Sequence, residues 1–529
     1  MNHKDALEIL FDIERHIDVN EYWIDGVQVW PIVRRDIWMH LLSLKNIQRL
    51  AQPVLVDMGR KAELPGVSGK TRSKKGRIPA LCRLLSSHLS QVLEPADVLF
   101  WSRQEDHTEI FSEGVVDRII DPMMWFVRNE GYTTLKLSRS DSLERKGISQ
   151  VEPSVMVTPD QMQESCIIEP PRGSAEELIA AIKEIIPDLP ITNSHAISAV
   201  RRLNSRSDYF EIVLDMVKPR MVMLGVFYAA DAMALIHACR RRNIPVVDVQ
   251  HGKQGLYHAM YGGWSAMPVN GYSVLPDVFW TWGSESAEVI RLSLPEQSSR
   301  PQAIVGGNRW LATWKTQNKH RLTVQQDVQY LLGRMNDFQR TILVSLQPLS
   351  DPLPSPLLEA MKKASPDWFW LVRTHPHQRK DISNLESRIE ATGLQAYDIQ
   401  CASNAPLYPL LYRSDIHVTC WSSVAYEALA MSKPTILVDP TALKLYDSYI
   451  SRNLFSYAST ADELLDAITE LPGKPLPKEA NSYIETSDNI AKEALAKCLS
   501  MNKGGFFGNF WSALRRRTTD PLSTGGGIT

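Results

Sequence analysis

The stretch that decides the fold class runs from Asp415 to Pro440 and reads DIHVTCWSSVAYEALAMSKPTILVDP. A short apolar strand, with Ile416 and Val418, precedes a polar turn, a compact helix over 424–431 and a second apolar strand over 435–438. This order is typical of half of a parallel α/β unit. In open α/β sheets, ligands bind just beyond the carboxyl ends of the strands, so the turn is a candidate site.

The turn carries groups that suit an anionic ligand. Ser422 and Ser423 fall where the first backbone amides of a helix have no partner, so hydroxyls, N–H groups and the positive end of the helix dipole are available. Glu427 lies four residues after Ser423, whereas a capping box needs three, so we expect its carboxylate to accept hydrogen bonds from ribose hydroxyls. The alternative is that the serines only cap a core helix and that Glu427 lies on a solvated face.

Length and composition set the broad class of the protein. The 529 residues suffice for two to three domains, and 44% hydrophobic with 22% charged residues is typical of a soluble globular protein. A formal charge of −2 gives no general attraction to nucleic acid. The polar start of the chain and the absence of an apolar run of about eighteen residues predict a cytoplasmic protein without a membrane span.

The patterns along the chain predict five segments. The first 56 residues are expected to form a helical segment, because Ala6, Leu10 and Ile13 recur on one helical face and Pro31 can begin a second helix. Beyond it we expect a basic linker with an amphipathic helix (57–96), a first α/β domain (97–314), a second α/β domain (315–500) and an amphipathic, basic tail (501–529).

Two of these segments leave open a contact with a membrane. The basic linker is either a solvated connection or a contact with an anionic surface. The tail, in which aromatic residues precede Arg515, Arg516 and Arg517, is either a peripheral anchor at the inner face of the membrane or a helix that packs on its own protein.

The clearest unit of the first α/β domain is a βαβ pattern between Lys218 and Gly252. It predicts strands over 221–224 and 244–249 around a helix over 229–242, and the second strand ends at Gln250, His251 and Gly252. The following loop is rich in glycine, which lets a chain approach a ligand closely, but it lacks the spacing of a P-loop or a dinucleotide fingerprint. Earlier in this domain, residues 102–114 are expected to be a polar loop before a helix that starts near Val115.

The second α/β domain carries further polar strand ends. A strand over 341–346 ends at Gln347, and a strand over 368–372 ends at Arg373, Thr374 and His375, with Pro376 biasing His375 toward an extended conformation. A lone histidine is more often structural than functional. Three strand ends with groups for an anion, namely those at His251, at Arg373 with His375, and at Ser422, favour a common site.

These residues resemble a known group of enzymes. Two α/β domains, an Arg-Thr-His-Pro strand end at 373–376 and the Ser422-Ser423 pair followed by Glu427 resemble the donor half of GT-B glycosyltransferases. The His-Pro and Ser-Ser pairs are similar to motifs of bacterial sialyltransferases, of the capsule polysaccharide biosynthesis (Kdo-transferring) family and of the CDP-glycerol glycerophosphotransferases. The strand end Val-Asp-Val-Gln-His-Gly at 247–252 resembles the first-domain element of the last two families. The resemblance covers roughly residues 215–470.

The resemblance implies a GT-B fold, with two Rossmann-like domains whose parallel sheets face a central cleft, plus the helical N-terminal extension. It implies that His375, Ser422 and Ser423 bind the donor phosphate, that Glu427 binds the ribose and that His251 is the base toward the acceptor hydroxyl. Arg373 would help to stabilise the leaving phosphate, so we expect neither a metal nor a cofactor. Further candidates are Gln250, Gly252 and Gln347, with Asp248 and His258 as alternative bases.

The expected function is a glycosyltransferase that moves a sugar from a nucleotide-activated donor to a growing bacterial surface polysaccharide, such as capsule or O-antigen. Its acceptor would be a polysaccharide or a lipid-linked chain. Two alternatives stay open at this point: a polyol-phosphate transferase that uses CDP-glycerol or CDP-ribitol, and a catalytically degenerate GT-B domain that serves as an assembly partner. The Asp/Glu-Asp/Glu-Gly motif of the sialyltransferases is not evident in this sequence.

Overall fold

The computed structural model describes residues 3–47, 93–139, 149–157, 170–252, 254, 258–296, 301–315, 322–349, 351–477, 479–480 and 483–501. Most of the basic linker predicted at 57–96 and nearly all of the tail predicted at 501–529 lie outside the described residues, so both membrane contacts stay predictions. No helix of the described residues is long and apolar enough to cross a membrane.

The chain begins with two helices joined by a small hairpin. Their bounds are α1 (His3–His16), β1 (Trp23–Ile24), β2 (Val27–Gln28) and α2 (Trp30–Ile47). The predicted helices are confirmed, and their apolar faces are buried in the same core as Leu99 and Val222 of the first sheet. The N-terminal extension is therefore an integral layer of the first domain.

The first domain is built on a seven-stranded parallel sheet with helices on both faces. Its elements are β3 (Val98–Ser102), β4 (His107–Phe111), β5 (Gly114–Asp117), α3 (Ile120–Asn129), β6 (Thr134–Arg139), β7 (Val155–Val157), α4 (Glu176–Ile185), α5 (Asn193–Val217), β8 (Met221–Leu224), α6 (Ala230–Arg241), β9 (Val246–Val249), β10 (Val278–Thr281), α7 (Ser284–Leu292), β11 (Gln302–Val305) and α8 (Arg309–Lys315). The spatial order is β11-β10-β9-β8-β3-β6-β7, so the winding reverses between β3 and β8. Ligand crevices in such sheets lie at this point of reversal.

A β-hairpin occupies the region where the sequence predicts a polar loop over 102–114 and a helix from Val115. Strands β4 and β5 pair antiparallel, and the helix begins only at Ile120. In β4, His107, Glu109 and Phe111 are buried while the residues between them are half-buried. The loop prediction was wrong because two of the three buried residues of β4, His107 and Glu109, are polar, so the sequence lacks the apolar pattern of a strand. Glu109 is buried where it accepts the N–H of Leu407 of the second domain.

The second domain contains a six-stranded parallel sheet in the order β14-β13-β12-β15-β16-β17. Its elements are α9 (Gln326–Arg334), β12 (Arg340–Ser345), α10 (Ser355–Lys363), β13 (Trp368–Arg373), α11 (Ile382–Glu390), β14 (Tyr397–Asp398), α12 (Gln400–Asn404), α13 (Leu407–Arg413), β15 (Ile416–Thr419), α14 (Val424–Ala430), β16 (Thr435–Leu437), α15 (Thr441–Leu445), α16 (Asp447–Ile450), β17 (Ser456–Tyr457) and α17 (Ala461–Glu470). The winding reverses between β12 and β15, which is the strand before Ser422.

The last described helix, α18 (Asp488–Ser500), returns to the first domain. Its residues Ala491, Leu495 and Leu499 share a core with Val98 and Phe100 of β3. The second domain was predicted to extend to residue 500, but the structure places this helix on the first-domain sheet. The chain therefore crosses between the domains twice.

Two doubly wound parallel sheets, joined by two crossings, face one cleft. The predicted α/β class and GT-B architecture are confirmed by this arrangement, and so is the helical N-terminal extension.

Candidate functional site

A cleft lies between the two domains. The first domain supplies most of its wall from the carboxyl ends of β9, β10 and β11, and the second domain supplies side chains from α13 and α14. The lining residues are Arg118, Ile119, Met123, Val249, Gln250, His251, Trp282, Gly307, Asn308, Arg309, Trp310, Tyr408 and Glu427. The structure thus brings together His251 and Glu427, which the sequence placed in opposite domains.

His251 follows β9 and lies against the ring of Tyr261, with 5.9 Å between the ring centroids. Burial, together with the positive charges of Arg103 and Arg118, lowers the pKa of His251 to about 3. Its Nδ1 has no hydrogen-bond partner among the described residues. At neutral pH the imidazole is therefore uncharged.

Arg118 was not singled out by the sequence analysis, and it lines the cleft from the turn before α3. Asp117 holds this turn, because one carboxylate oxygen accepts the backbone N–H groups of Ile119 at 2.8 Å and Ile120 at 3.0 Å. The charge of Arg118 acts on His251 in its own domain and on Glu427 in the other. The positive charge of Arg118 therefore lowers the pKa of both predicted site residues.

Glu427 lies one turn into α14 and is almost fully buried. Its Oε1 accepts the hydroxyl of Tyr408 at 3.0 Å. Burial raises the pKa of Glu427, while Arg118 and Tyr408 oppose that rise. The carboxyl group is held in the cleft wall, and the alternative of a solvated face is not what the structure shows.

Ser422 and Ser423 lie at the end of β15, outside the residues that line the cleft. The hydroxyl of Ser422 accepts the backbone N–H of Val424 at 3.3 Å, whereas Ser423 makes no capping hydrogen bond with its side chain. Gln347, at the end of β12, accepts the N–H of Trp421 at 2.6 Å and so fixes the start of the turn. The three residues therefore meet at the reversal point of the second sheet.

Arg373 lies at the end of β13 and holds a neighbouring segment of its own domain. Its guanidinium donates to the carbonyl of Ala402 at 2.7 Å and also to that of Ala405. Burial lowers the pKa of Arg373, while the charge of Glu109 opposes this and that of Arg118 adds to it. His375 is half-buried two residues further on, and its carbonyl accepts the N–H of Gln378 at 2.8 Å.

Gln250 has a structural role that the sequence did not indicate. Its side-chain oxygen accepts the N–H of Trp282 at 2.6 Å, and its nitrogen donates to the carbonyl of Gly252 at 2.9 Å. This amide therefore ties the end of β9 to the end of β10. Gly252 is half-buried beside it.

Asp248 and His258, the two alternative bases, are the remaining candidates from the first domain. Burial raises the pKa of Asp248 to about 8, so its carboxyl holds a proton at neutral pH and is not a proton acceptor there. The ring of His258 packs among Trp38, Tyr228 and Tyr261, with centroid distances of 4.5, 5.3 and 4.9 Å. Because Trp38 belongs to α2, the N-terminal layer reaches this cluster.

Two cleft residues that were not predicted, Arg118 and Arg309, do have recognisable signals in the sequence. Asp117 precedes the apolar run of α3 as helix-capping residues do, which marks the turn that bears Arg118. Arg309 follows glycines at a strand end, as polar site residues of α/β proteins often do. Glu109 and Tyr408 had no such signal, because their burial depends on contact between the domains.

No protein-family model matches the chain, and no curated protein matches it. Among solved structures, it is similar to the UDP-GlcNAc 2-epimerase of Methanocaldococcus jannaschii (10% identity, TM-score 0.48, 76% of this chain and 99% of that one). It is also similar to the UDP-GlcNAc 2-epimerase of Neisseria meningitidis bound to UDP-GlcNAc (14%, 0.46, 76% and 99%) and to a glycosyltransferase of Rickettsia africae (14%, 0.42, 78% and 98%). Since these TM-scores lie below 0.5, the fold assignment rests on the chain's own two sheets.

Proposed function

We propose that this chain is a glycosyltransferase that binds a nucleotide-activated sugar in the interdomain cleft and transfers the sugar to an acceptor hydroxyl. The observation that carries the proposal is the cleft itself, in which the uncharged imidazole of His251 and the carboxyl of Glu427 come from opposite domains. A glycosyltransferase needs a base beside the hydroxyl that receives the sugar. It also needs groups on the opposite side of the cleft that form hydrogen bonds with the nucleotide sugar.

The reaction requires two events at the anomeric carbon. The acceptor oxygen forms a bond to this carbon and loses its proton, for which the imidazole of His251 is the proposed acceptor. The bond from the same carbon to the donor phosphate oxygen breaks, and the electron pair leaves with the nucleotide. Fixed cations near this oxygen stabilise the charge that develops there.

The donor would lie on the second domain. In this proposal Glu427 binds the ribose, while Ser422, Ser423 and His375 bind the phosphates. Arg373 has two roles in this proposal. It contributes positive charge, and its hydrogen bonds to Ala402 and Ala405 hold the backbone on this side of the cleft. No metal or cofactor is part of the proposal.

The biological setting that we propose is synthesis of a bacterial surface polysaccharide at the cytoplasmic side of the inner membrane. A polysaccharide or lipid-linked acceptor would approach His251 from the first domain. This part of the proposal rests on the sequence resemblance alone.

A panel of CMP, CDP, UDP, GDP and ADP in thermal-shift measurements identifies the donor nucleotide, and the matching nucleotide sugars are then assayed for nucleotide release. His251→Ala should keep the nucleotide affinity and lower turnover about 10²- to 10⁴-fold, as expected for a lost general base. His375→Ala should weaken nucleotide binding as well as turnover. His195→Ala, on the exposed start of α5, is the matched control.

Several outcomes would overturn the proposal. Absence of any nucleotide-dependent shift or donor turnover would favour the degenerate assembly partner. A phosphodiester product from CDP-glycerol or CDP-ribitol would identify a polyol-phosphate transferase. Normal turnover by His251→Ala would remove this histidine as the base.

A further inference from the structure

Arg118 is a cation in the cleft wall for which the described residues supply no hydrogen bond and no ion pair. Its neighbours differ in this respect. Arg103 makes a two-pronged ion pair with Asp106, at 2.8 and 2.7 Å, and Arg309 is paired with Asp488. Arg118 is half-buried and opens onto the cleft, so its guanidinium fork is available to a ligand.

The backbone that carries Arg118 is fixed by a buried polar network. The N–H of Asp117 donates to the carboxylate of Asp121 at 2.9 Å, and this carboxylate pairs with Lys136 at 2.7 Å. The side chains of Asp121 and Lys136 are both fully buried. Such a network makes the turn rigid, so the turn holds Arg118 in the cleft before any ligand binds.

The surroundings keep Arg118 charged without pairing it. Burial lowers the pKa of Arg118, but the charges of Glu427 and Glu109 outweigh burial and raise the pKa overall. An arginine matches phosphate geometry with two parallel N–H groups, and this match is a common reason for a fixed, unpaired arginine in a cleft.

We propose that Arg118 binds the diphosphate of the donor from the first-domain side of the cleft, so that donor binding neutralises the cation beside His251. This inference rests on the proposed function, to which it adds a phosphate contact that neither the serine pair nor His375 supplies. It also couples the two halves of the site, because the base becomes effective only when the donor is present.

The coupling follows from the charges that face His251. They are Arg103 and Arg118 on the first domain, with the phenol of Tyr261 beside the ring and Glu427 across the cleft. Both arginines disfavour the imidazolium, but Asp106 already balances Arg103. A diphosphate on Arg118 removes its repulsion and adds negative charge nearby, so the pKa of His251 rises toward the range of an effective base.

Pyrophosphate is the probe, because it carries the diphosphate without a base or a sugar. Isothermal titration of the full-length chain should show that it binds pyrophosphate and that Arg118→Gln lowers the affinity about tenfold or more. The affinity of Arg118→Lys should lie between those of the wild type and Arg118→Gln. Arg291→Gln, an exposed arginine of α7 paired with Glu288, should bind as the wild type does. Equal affinity of folded Arg118→Gln and wild type, or no measurable binding by the wild type, would overturn the proposal.

The second readout is the pKa of His251, followed by its ring resonances in NMR and assigned by comparison with His251→Ala. Pyrophosphate should raise this pKa in the wild type and leave it unchanged in Arg118→Gln. Neither readout needs a transfer reaction. A chain that binds pyrophosphate through Arg118 and transfers no sugar would refute the proposed function and support this inference, whereas an unmoved pKa in the wild type would refute the coupling.

Discussion

The carboxylate of Glu109, on the first-domain hairpin, accepts the backbone N–H of Leu407 in the second domain at 3.1 Å. Leu407 begins α13, and the next residue, Tyr408, donates to Glu427 in the cleft wall. A hairpin absent from the sequence prediction is thus connected to a predicted site residue through two hydrogen bonds. The hairpin positions the second-domain face of the site.

Replacement of Glu109 should loosen this contact between the domains. Glu109→Ala leaves the N–H of Leu407 without its acceptor in a buried place, and a hydrogen bond to a charged group is worth about 1.5–3 kcal/mol. We expect a decrease of that size in the free energy of unfolding measured with urea. Glu109→Gln keeps an acceptor and should lose less. Unfolding of Glu109→Ala at the wild-type urea concentration would contradict this role.

Nucleotide binding should depend on the second-domain residues named from the sequence. Ser422→Ala, Ser423→Ala and Glu427→Ala should each weaken binding of the nucleotide found in the thermal-shift panel, since each loses a hydrogen bond worth about 1.5–3 kcal/mol when charged. Isothermal titration measures the change. Tyr408→Phe tests whether the hydroxyl that holds Glu427 matters to the same affinity. If all three alanine variants bind like the wild type, the nucleotide lies elsewhere.

Asp248 should make stability depend on pH in an unusual direction. Its Oδ1 accepts the N–H of Phe227 at 3.0 Å, and burial raises its pKa to about 8. Between about pH 4, its unfolded value, and pH 8 the folded chain holds a proton that the unfolded chain has lost. This contribution to stability is therefore complete below pH 4 and is lost as the pH rises to 8, by at most about 1.4 kcal/mol per pH unit.

Urea unfolding at pH 5 and pH 8 tests this pH dependence. Asp248→Asn cannot ionise, so its stability relative to the wild type should be greater at pH 8 than at pH 5. Asp337→Asn, on the exposed surface, is the control. Because this variant keeps Asp248, its free energy of unfolding should differ from that of the wild type by the same amount at pH 5 and at pH 8. A constant difference between Asp248→Asn and the wild type would show that Asp248 is ionised in the folded chain.

The N-terminal layer should depend on one buried ion pair. Glu14 accepts Arg34 at 3.0 Å and the N–H of Ser265 at 2.7 Å, and the side chains of the pair are fully buried. Glu14→Ala leaves Arg34 as an uncompensated buried charge, so we expect a loss of about 3–5 kcal/mol in the free energy of unfolding. Glu14→Gln should lose less. Glu8→Ala, exposed on the same helix, is the control, and an equal effect of Glu8→Ala and Glu14→Ala would contradict the assignment.

The sequence was sufficient for elements whose signal is local. The βαβ unit around β8, α6 and β9 was predicted to within two residues at each bound, because continuous apolar strands flank a helix with one apolar face. The strand, turn and helix at 415–431 were found for the same reason. Strand β7 and the long helix α5 were not predicted.

The site was harder to predict because its charges interact across the cleft. His251 and Glu427 were named from strand ends, and the structure places both in the cleft. The partners of Glu427, however, are Tyr408 from another helix and Arg118 from the other domain. The pKa of His251 is also far from the near-neutral value expected of a base, because burial and two arginines act together. Such effects depend on tertiary contacts that no local pattern contains.

The return of α18 to the first domain has a consequence for synthesis. The core that holds Val98 and Phe100 is completed by Leu495 and Leu499, which leave the ribosome only after the whole second domain. A nascent chain therefore carries an uncovered apolar face of its first domain while the second domain is made and can fold. Expression of the first domain alone would reproduce that unfinished state, and a shortened protein would need α18 joined after β11 by a linker that replaces the second domain.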